Sequence, residues 1–459
     1  MNFKRIVIVL GLVLTLTVPI GVHALAQTVI SNDGTVLKQI IIFGRHSIRS
    51  GTQSPAQLAQ YAANPYPPFE VAPGCLTPNG WSAEVLLGAY FRQYLLYEGL
   101  LTGDDHNDAV NSYFRSNSIP RSWMTASAFG TGLIPNVPPP VHSYDMGQTD
   151  PVFDPIAAGV ANVNADIAAT QAQQIFNSGT VLESAYSGEY SLISSVLFNN
   201  APVPDGKTDP TTIPITLSAN TSPQLNTGDV INVGGLQDVQ NAVDPFVMQY
   251  SDNFAMSDVA WGQLTPDQLS QETRIACLIA NIELRSPYLS RVQSSNAASH
   301  ILRTMLQALQ GSNMRGAFGN AASRMVVVIS SDTYVAGLAG LLNLHWQLPG
   351  YQQDFCAPGG ALVFELRQVL GSNQNIVRVY YTAQTFDQLR NQTALSLSEP
   401  PATIQILVPG GSRSVTDLDV SFSVFRNLVT NAIGQQYVQN PSQETPPGIL
   451  TDVTCPPGP

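Results

Sequence analysis

The chain has 459 residues, a formal net charge of -12, 44% hydrophobic residues and only 11% charged ones. That length can bury a large core and divide into two lobes. The acidic balance argues against nucleic acid or an anionic membrane surface as a partner.

Lys4 and Arg5 precede the apolar run Ile6 to Val22, and Ala24-Leu25-Ala26 has the small-x-small pattern of a cleavage site. Residues 1–26 are therefore read as a signal peptide, leaving a soluble periplasmic or secreted chain with no stable membrane insertion after cleavage. An uncleaved anchor is the alternative, since the apolar run is near the lower length limit for a span. In both cases the body of the protein lies outside the cytoplasm. Cys75, Cys277, Cys356 and Cys455 all follow that segment and could form two disulfides in an oxidising compartment, with three pairings open. His46, His106, His142, His300 and His345 are scattered, so no structural metal is expected.

Ile40-Ile41-Ile42-Phe43-Gly44 is an apolar, β-branched run that reads as a buried strand, and it stops at Arg45-His46-Ser47-Ile48-Arg49. Ligands of open α/β sheets bind beyond the C-terminal ends of the strands, where this cluster falls. A neutral imidazole is a good nucleophile toward phosphorus, and guanidinium forks hold phosphate oxygens bidentately. On that chemistry His46 attacks while Arg45 and Arg49 clamp the anion. The bland alternative is a turn histidine between two surface arginines.

Ser50 to Pro73 reads as a long Pro- and Ala-rich loop, and Thr77-Pro78 as the cap and first position of a helix. Tyr113 to Asn117 reads as a short strand, followed by a helix with Arg121 at its entry, where an arginine suits a second side of the same anion. Ala157 to Phe176 and Thr273 to Leu309 read as helical, and Leu217 to Val243 as loop. Met325 to Ile329 is a second buried strand that ends in Ser330-Ser331-Asp332, at the start of another helix. Asp332 is a polar group at the C-terminal end of that strand, and a residue of its kind there is an ordinary helix cap. Ile376 to Thr382 and Thr403 to Val408 read as strands, Phe422 to Ile433 as a closing helix, and the Pro-rich tail as irregular unless Cys455 pins it.

Arg45 to Arg49 resembles the Arg-His-Gly-x-Arg-x-Pro signature of the histidine acid phosphatase family, with Ser47 in place of the glycine and Gly51 in place of the proline. Leu76 to Gly80, the Thr-Ala and Phe-x-x-Gly-Leu after Arg121, Asp150 to Pro155, and Pro358-Gly359-Gly360 are similar to further family segments. The resemblance implies a phosphoglycerate-mutase-like three-layer α/β core with an inserted, mostly helical cap. The implied division is core at 27–155, cap at 156–311, core again at 312–440 and an irregular tail at 441–459.

It also implies an exported acid phosphatase that hydrolyses a small phosphomonoester without a cofactor, through a phosphohistidine on His46. Arg45, Arg49 and Arg121 would bind the phosphoryl group, and Asp332 would donate the proton. The family's histidine before that aspartate is Ser331 here, which can replace a hydrogen bond but not a charge. Losing a charge-assisted bond costs about 1.5–3 kcal/mol, so the expectation is an impaired or altered enzyme. A degenerate protein that binds phosphate without turnover is the alternative. A phosphoryl-transferring mutase is a weaker rival. Phytate fits poorly, because Ser50 to Gln53 carries no basic residue.

Overall fold

A computed structural model describes residues 33–222 and 229–455; the signal-peptide segment lies outside the described residues. In chain order the strands are β1 (Thr35–Arg45), β2 (Ser112–Ser116), β3 (Val141–Ser143), β4 (Thr216–Ala219), β5 (Ile231–Gly234), β6 (Met325–Ser330), β7 (Ala361–Val369), β8 (Asn375–Ala383), β9 (Ala402–Gln405), β10 (Val420–Ser421) and β11 (Gly448–Ile449). Nine of them form one mixed sheet in the order β10-β8-β7-β1-β6-β2-β3-β11, with β9 on β8; β4 and β5 form a separate hairpin.

The apolar run of β1 is unbroken because both faces of the strand are covered. Ile41 and Phe43 pack into one cluster with Val326, Val328 and Phe364, while Ile40 and Ile42 pack into another with Val327, Phe114 and Phe129. β1 and β6 are parallel neighbours with Arg45 opposite Ser330, so both chains leave the sheet at the same end. β2 is parallel to β6 on its other side, with Ser116 opposite Ile329. Three strand exits therefore open onto one crevice.

The chain between β3 and β6 is mostly helical, as the sequence indicates. Its details differ from the expectation in three places. The stretch read as one helix from Thr273 to Leu309 is two helices, Pro266–Glu283 and Pro287–Gln310. Pro287 lacks an N–H and bars the preceding residue from helical geometry, and Ser286 is extended at φ -58°, ψ 140°. Helix Ala165–Phe176 starts later than Ala157, where the Asn164 side chain accepts from the Asp166 and Ile167 N–H groups. Leu217 to Val243 is more ordered than its Asn, Gly and Ser content suggests, for it holds most of the hairpin and the first half of helix Leu236–Ser251. Ile231 and Val233 are buried there and Asn232 is exposed, an alternation too short to stand out in the sequence.

Cys75 and Cys455 form a disulfide and β11 pairs with β3, so the tail is tied down at two points. Cys277 and Cys356 are free, leaving one bridge rather than the two the sequence permits. Among the described residues no helix is long and apolar enough to cross a membrane.

Candidate active site

The segment after β1 is held by its own backbone. Arg45 N–H donates to Gly360 O (2.9 Å), His46 N–H to Ser330 O (2.8 Å), and Gly359 N–H to His46 O (3.1 Å). Ser47 N–H donates to Thr125 Oγ1 (3.1 Å) on helix Pro120–Leu133. Thr77 N–H donates to Ile48 O (3.0 Å) just ahead of helix Pro78–Tyr97, which Thr77 caps as expected. Gly80 lets that helix press onto the segment, since a Cβ there would lie 2.2 Å from Ile48 O. Four separate elements thus fix one short loop, which is the preorganisation a reactive group needs.

His46 is 1% exposed and its Nδ1 lies 2.9 Å from Ser47 O. A carbonyl only accepts, so Nδ1 carries the hydrogen and Nε2 keeps its lone pair. Burial, together with the Arg121, Arg45 and Arg49 charges, holds the imidazole pKa well below its ordinary value. Both effects favour the neutral form of His46.

The sequence-predicted groups come together around it. Arg45 is buried, donates from Nη1 to Cys356 O, and has Nη2 3.3 Å from an Asp332 carboxylate oxygen. Arg49 is also buried and makes a two-point contact with Asp244, at 2.7 and 2.9 Å. Arg121 stands in the first turn of its helix, with Nη1 3.2 Å from Gly74 O. Burial and the Arg49 and Arg45 charges, partly offset by Asp332 and Asp244, bring its pKa down to about 10, so it remains cationic at neutral pH. Asp332 is the first residue of helix Asp332–Leu342 and its side chain is 48% exposed. Burial opposes its charge, but the three arginines and the Thr333 N–H outweigh this and hold the carboxyl below its ordinary range. Ser331 precedes it as the cap residue, is 8% exposed, and makes no side-chain capping bond.

Beyond these groups lies a cleft of about 230 Å³ lined by Arg49, Thr52, Gln237, Gln240, Asn241, Asp244, Glu283 and Asp332 among others. Asp244 and the amides on helix Leu236–Ser251 were not legible as site residues, because the first half of that helix falls in the stretch read as loop and Asp244 directly follows it. Glu84 escaped notice too. It is 1% exposed within helix Pro78–Tyr97, and burial raises its carboxyl to about 8, partly opposed by the Ser47 hydroxyl. Among the described residues no group of three or more His, Cys, Asp or Glu side chains is placed to hold a metal ion.

A buried imidazole with three guanidinium groups around it and a carboxylate beside them, at the C-terminal edge of a mixed α/β sheet, has the chemistry to hold a phosphoryl group. The chain fits the histidine acid phosphatase family in sequence and fold. It is 27% identical over 391 residues to glucose-1-phosphatase of Salmonella typhimurium, covering 84% of this chain and 89% of that one. It is also 27% identical over 405 residues to phytase AppA of Escherichia coli, covering 86% and 92%. Hafnia alvei phytase in complex with tartrate superposes with a TM-score of 0.78 at 24% identity, covering 89% of this chain and all of that one. No family model matches the chain.

Proposed function

We propose that the protein is an exported acid phosphatase that hydrolyses small phosphomonoesters by way of a phosphohistidine on His46. The observation that carries this reading is the neutral, buried His46 with Nε2 free and Arg45, Arg49 and Arg121 around it. Three cations neutralise the phosphoryl oxygens as Nε2 attacks phosphorus, and such charge stabilisation is usually the largest contribution to a transfer of this kind. Asp332 protonates the departing oxygen, and in the second step takes a proton from the water that attacks the phosphohistidine. Ser331 supplies a hydroxyl to the phosphoryl group where related enzymes carry an imidazole.

The cleft beyond the arginines favours a leaving group that is neutral and rich in hydroxyls. Thr52, Gln237, Gln240 and Asn241 offer hydrogen bonds without charge, and Asp244 repels further anions. A sugar monophosphate suits that lining better than a polyphosphorylated ring. Export rests on the pattern of Lys4, Arg5 and Ala24-Leu25-Ala26 and on the disulfide.

The test is phosphate release from an aryl phosphate by the mature protein beside His46→Ala, with acid-quenched mixtures probed for phosphohistidine. Turnover that survives in His46→Ala would remove the histidine from the mechanism. Phosphate binding without turnover in the unaltered protein would instead select a degenerate binding protein.

A further inference from the structure

Helix Pro266–Glu283 buries Leu269, Ile275 and Ile282, and the same helix buries two carboxyl groups, Glu283 at its end and Glu272, at 1% exposure, in its second turn. Neither Glu272 oxygen has a hydrogen-bond partner. An isolated carboxylate in such a place would cost many kcal/mol, so the group rests as a neutral acid, in line with burial raising it well above its ordinary value. Glu272 borders a recess of about 40 Å³ whose other walls include Arg45, Gln240, Asp244 and Asp332. Arg45 Nε and Gln240 Oε1 are likewise buried without partners. The recess shares Gln240, Asp244 and Asp332 with the cleft, so it opens behind the candidate acid. The charged or titratable groups facing Glu272 are Arg45, Asp244 and Asp332, with Tyr66 also within electrostatic reach.

Glu272, Arg45 and Gln240 are among the residues bordering this space and each carries a polar atom without a partner, which one ordered water, needing two to four partners, would supply. We propose that this recess holds a water joining Glu272 to Asp332, and that Glu272 is the store for the proton that Asp332 delivers to the leaving group. The proposal rests on the phosphatase reading above and deepens it. Asp332, ionised beside three arginines, has no proton of its own to give in the free protein, and Ser331 offers no imidazole beside it.

In the first step His46 Nε2 forms a bond to phosphorus as the phosphorus–oxygen ester bond breaks. The Glu272 proton passes to the water, a water proton to Asp332, and the Asp332 proton to the departing oxygen. The alcohol leaves, and Glu272 is transiently a carboxylate, its charge offset by Arg45, which lines the same recess. In the second step water attacks the phosphohistidine, the phosphorus–nitrogen bond breaks, and the proton released returns through Asp332 and the water to Glu272. Phosphate leaves with both residues as they began. Glu272 touches no reacting atom and is a positioning residue for the proton.

The experiment compares Glu272→Gln with the unaltered protein on two esters, 4-nitrophenyl phosphate, whose leaving group needs no proton, and glycerol 2-phosphate, whose alkoxide does. The expected result is a kcat on glycerol 2-phosphate lowered on the order of 10- to 100-fold, with kcat on the nitrophenyl ester within about twofold. Glu272→Leu, which closes the recess, should give the same split. Equal slowing on both esters, a change in KM alone, or no change on either overturns the proton store while leaving the phosphatase reading standing. An unaltered protein inert on both esters overturns both.

Discussion

Arg49 Nη1 and Nη2 meet Asp244 Oδ2 and Oδ1 at 2.7 and 2.9 Å, a paired contact between the loop after β1 and a helix 195 residues further along the chain. The planar fork that would hold a phosphate is thus already matched to a carboxylate. An incoming anion has to share Arg49 with Asp244 or displace it, and it meets a negative charge beside it either way. We expect Asp244→Asn to tighten inhibition by inorganic phosphate about tenfold, corresponding to about 1.4 kcal/mol. A product-inhibition constant measured at pH 5 decides this, and weaker inhibition would mean that Asp244 serves to aim Arg49.

On the proposed phosphohistidine route, His46 sets where activity fails in acid. Its imidazole pKa lies well below the ordinary 6.5, first through burial and then through Arg121, Arg45 and Arg49. The nucleophile therefore stays unprotonated as pH falls past 6.5, and kcat/KM for an aryl phosphate should hold through that range and decline only further into acid. The measurement is a pH–rate profile with 4-nitrophenyl phosphate, for which leaving-group protonation is not needed. An acid limb centred near 6.5 would show an unperturbed histidine.

Buried neutral acids give the fold its own pH dependence. Burial raises Glu84 and Glu283 to about 8 from the ordinary carboxyl range, opposed by the nearby Ser47 hydroxyl and by the Val233 N–H respectively. Below about 4.5 these groups are protonated in both folded and unfolded chains and their burial is least costly. As pH rises from there through about 8, the unfolded chain ionises first and stability is lost. His46 works in the opposite sense, contributing stability above 6.5 that is lost as pH falls through its lowered folded value. Thermal midpoints should therefore drop between pH 5 and pH 8. Glu84→Gln should shallow that slope by up to about 1.4 kcal/mol per pH unit, and a slope unchanged in Glu84→Gln counts against a neutral Glu84.

Ser331 lies between the end of β6 and Asp332, buried at 8% and with no side-chain capping bond. An imidazole at that position would add a donor that can carry charge. Ser331→His is expected to raise kcat/KM on an aryl phosphate at pH 5 by roughly tenfold, the rate equivalent of one charge-assisted hydrogen bond. The gain should vanish at pH 8, where the new histidine is neutral. No gain at pH 5 would show that the three arginines already saturate the phosphoryl group.

Groups that leave strands were legible because local rules fix them. Ile40 to Phe43 and Met325 to Ile329 are unbroken apolar runs, and such runs become strands covered on both faces whatever surrounds them. A charged cluster directly after each had to emerge at a strand end, so Arg45, His46, Arg49 and Asp332 could be named, and Arg121 followed from its place at a helix start. Thr77-Pro78 and Ser286-Pro287 carry their helix starts in two residues each, although the second was overlooked inside a longer helical pattern.

Asp244, Gln240 and Glu272 belong to the other kind. Nothing within several residues of Glu272 distinguishes it from a solvent-facing glutamate, and Asp244 sits one residue before a proline inside a helix that begins amid loop-like Asn and Gly. The residues they lie beside, Arg45, Arg49 and Asp332, are set by other segments, 195 residues away in the case of Arg49 and Asp244. The sequence by itself determined the two central strands β1 and β6 and the end of the sheet at which the arginine–histidine cluster emerges. Only the tertiary structure decided which carboxyl groups face that cluster and in what protonation state, because burial and charge proximity are properties of the space between segments.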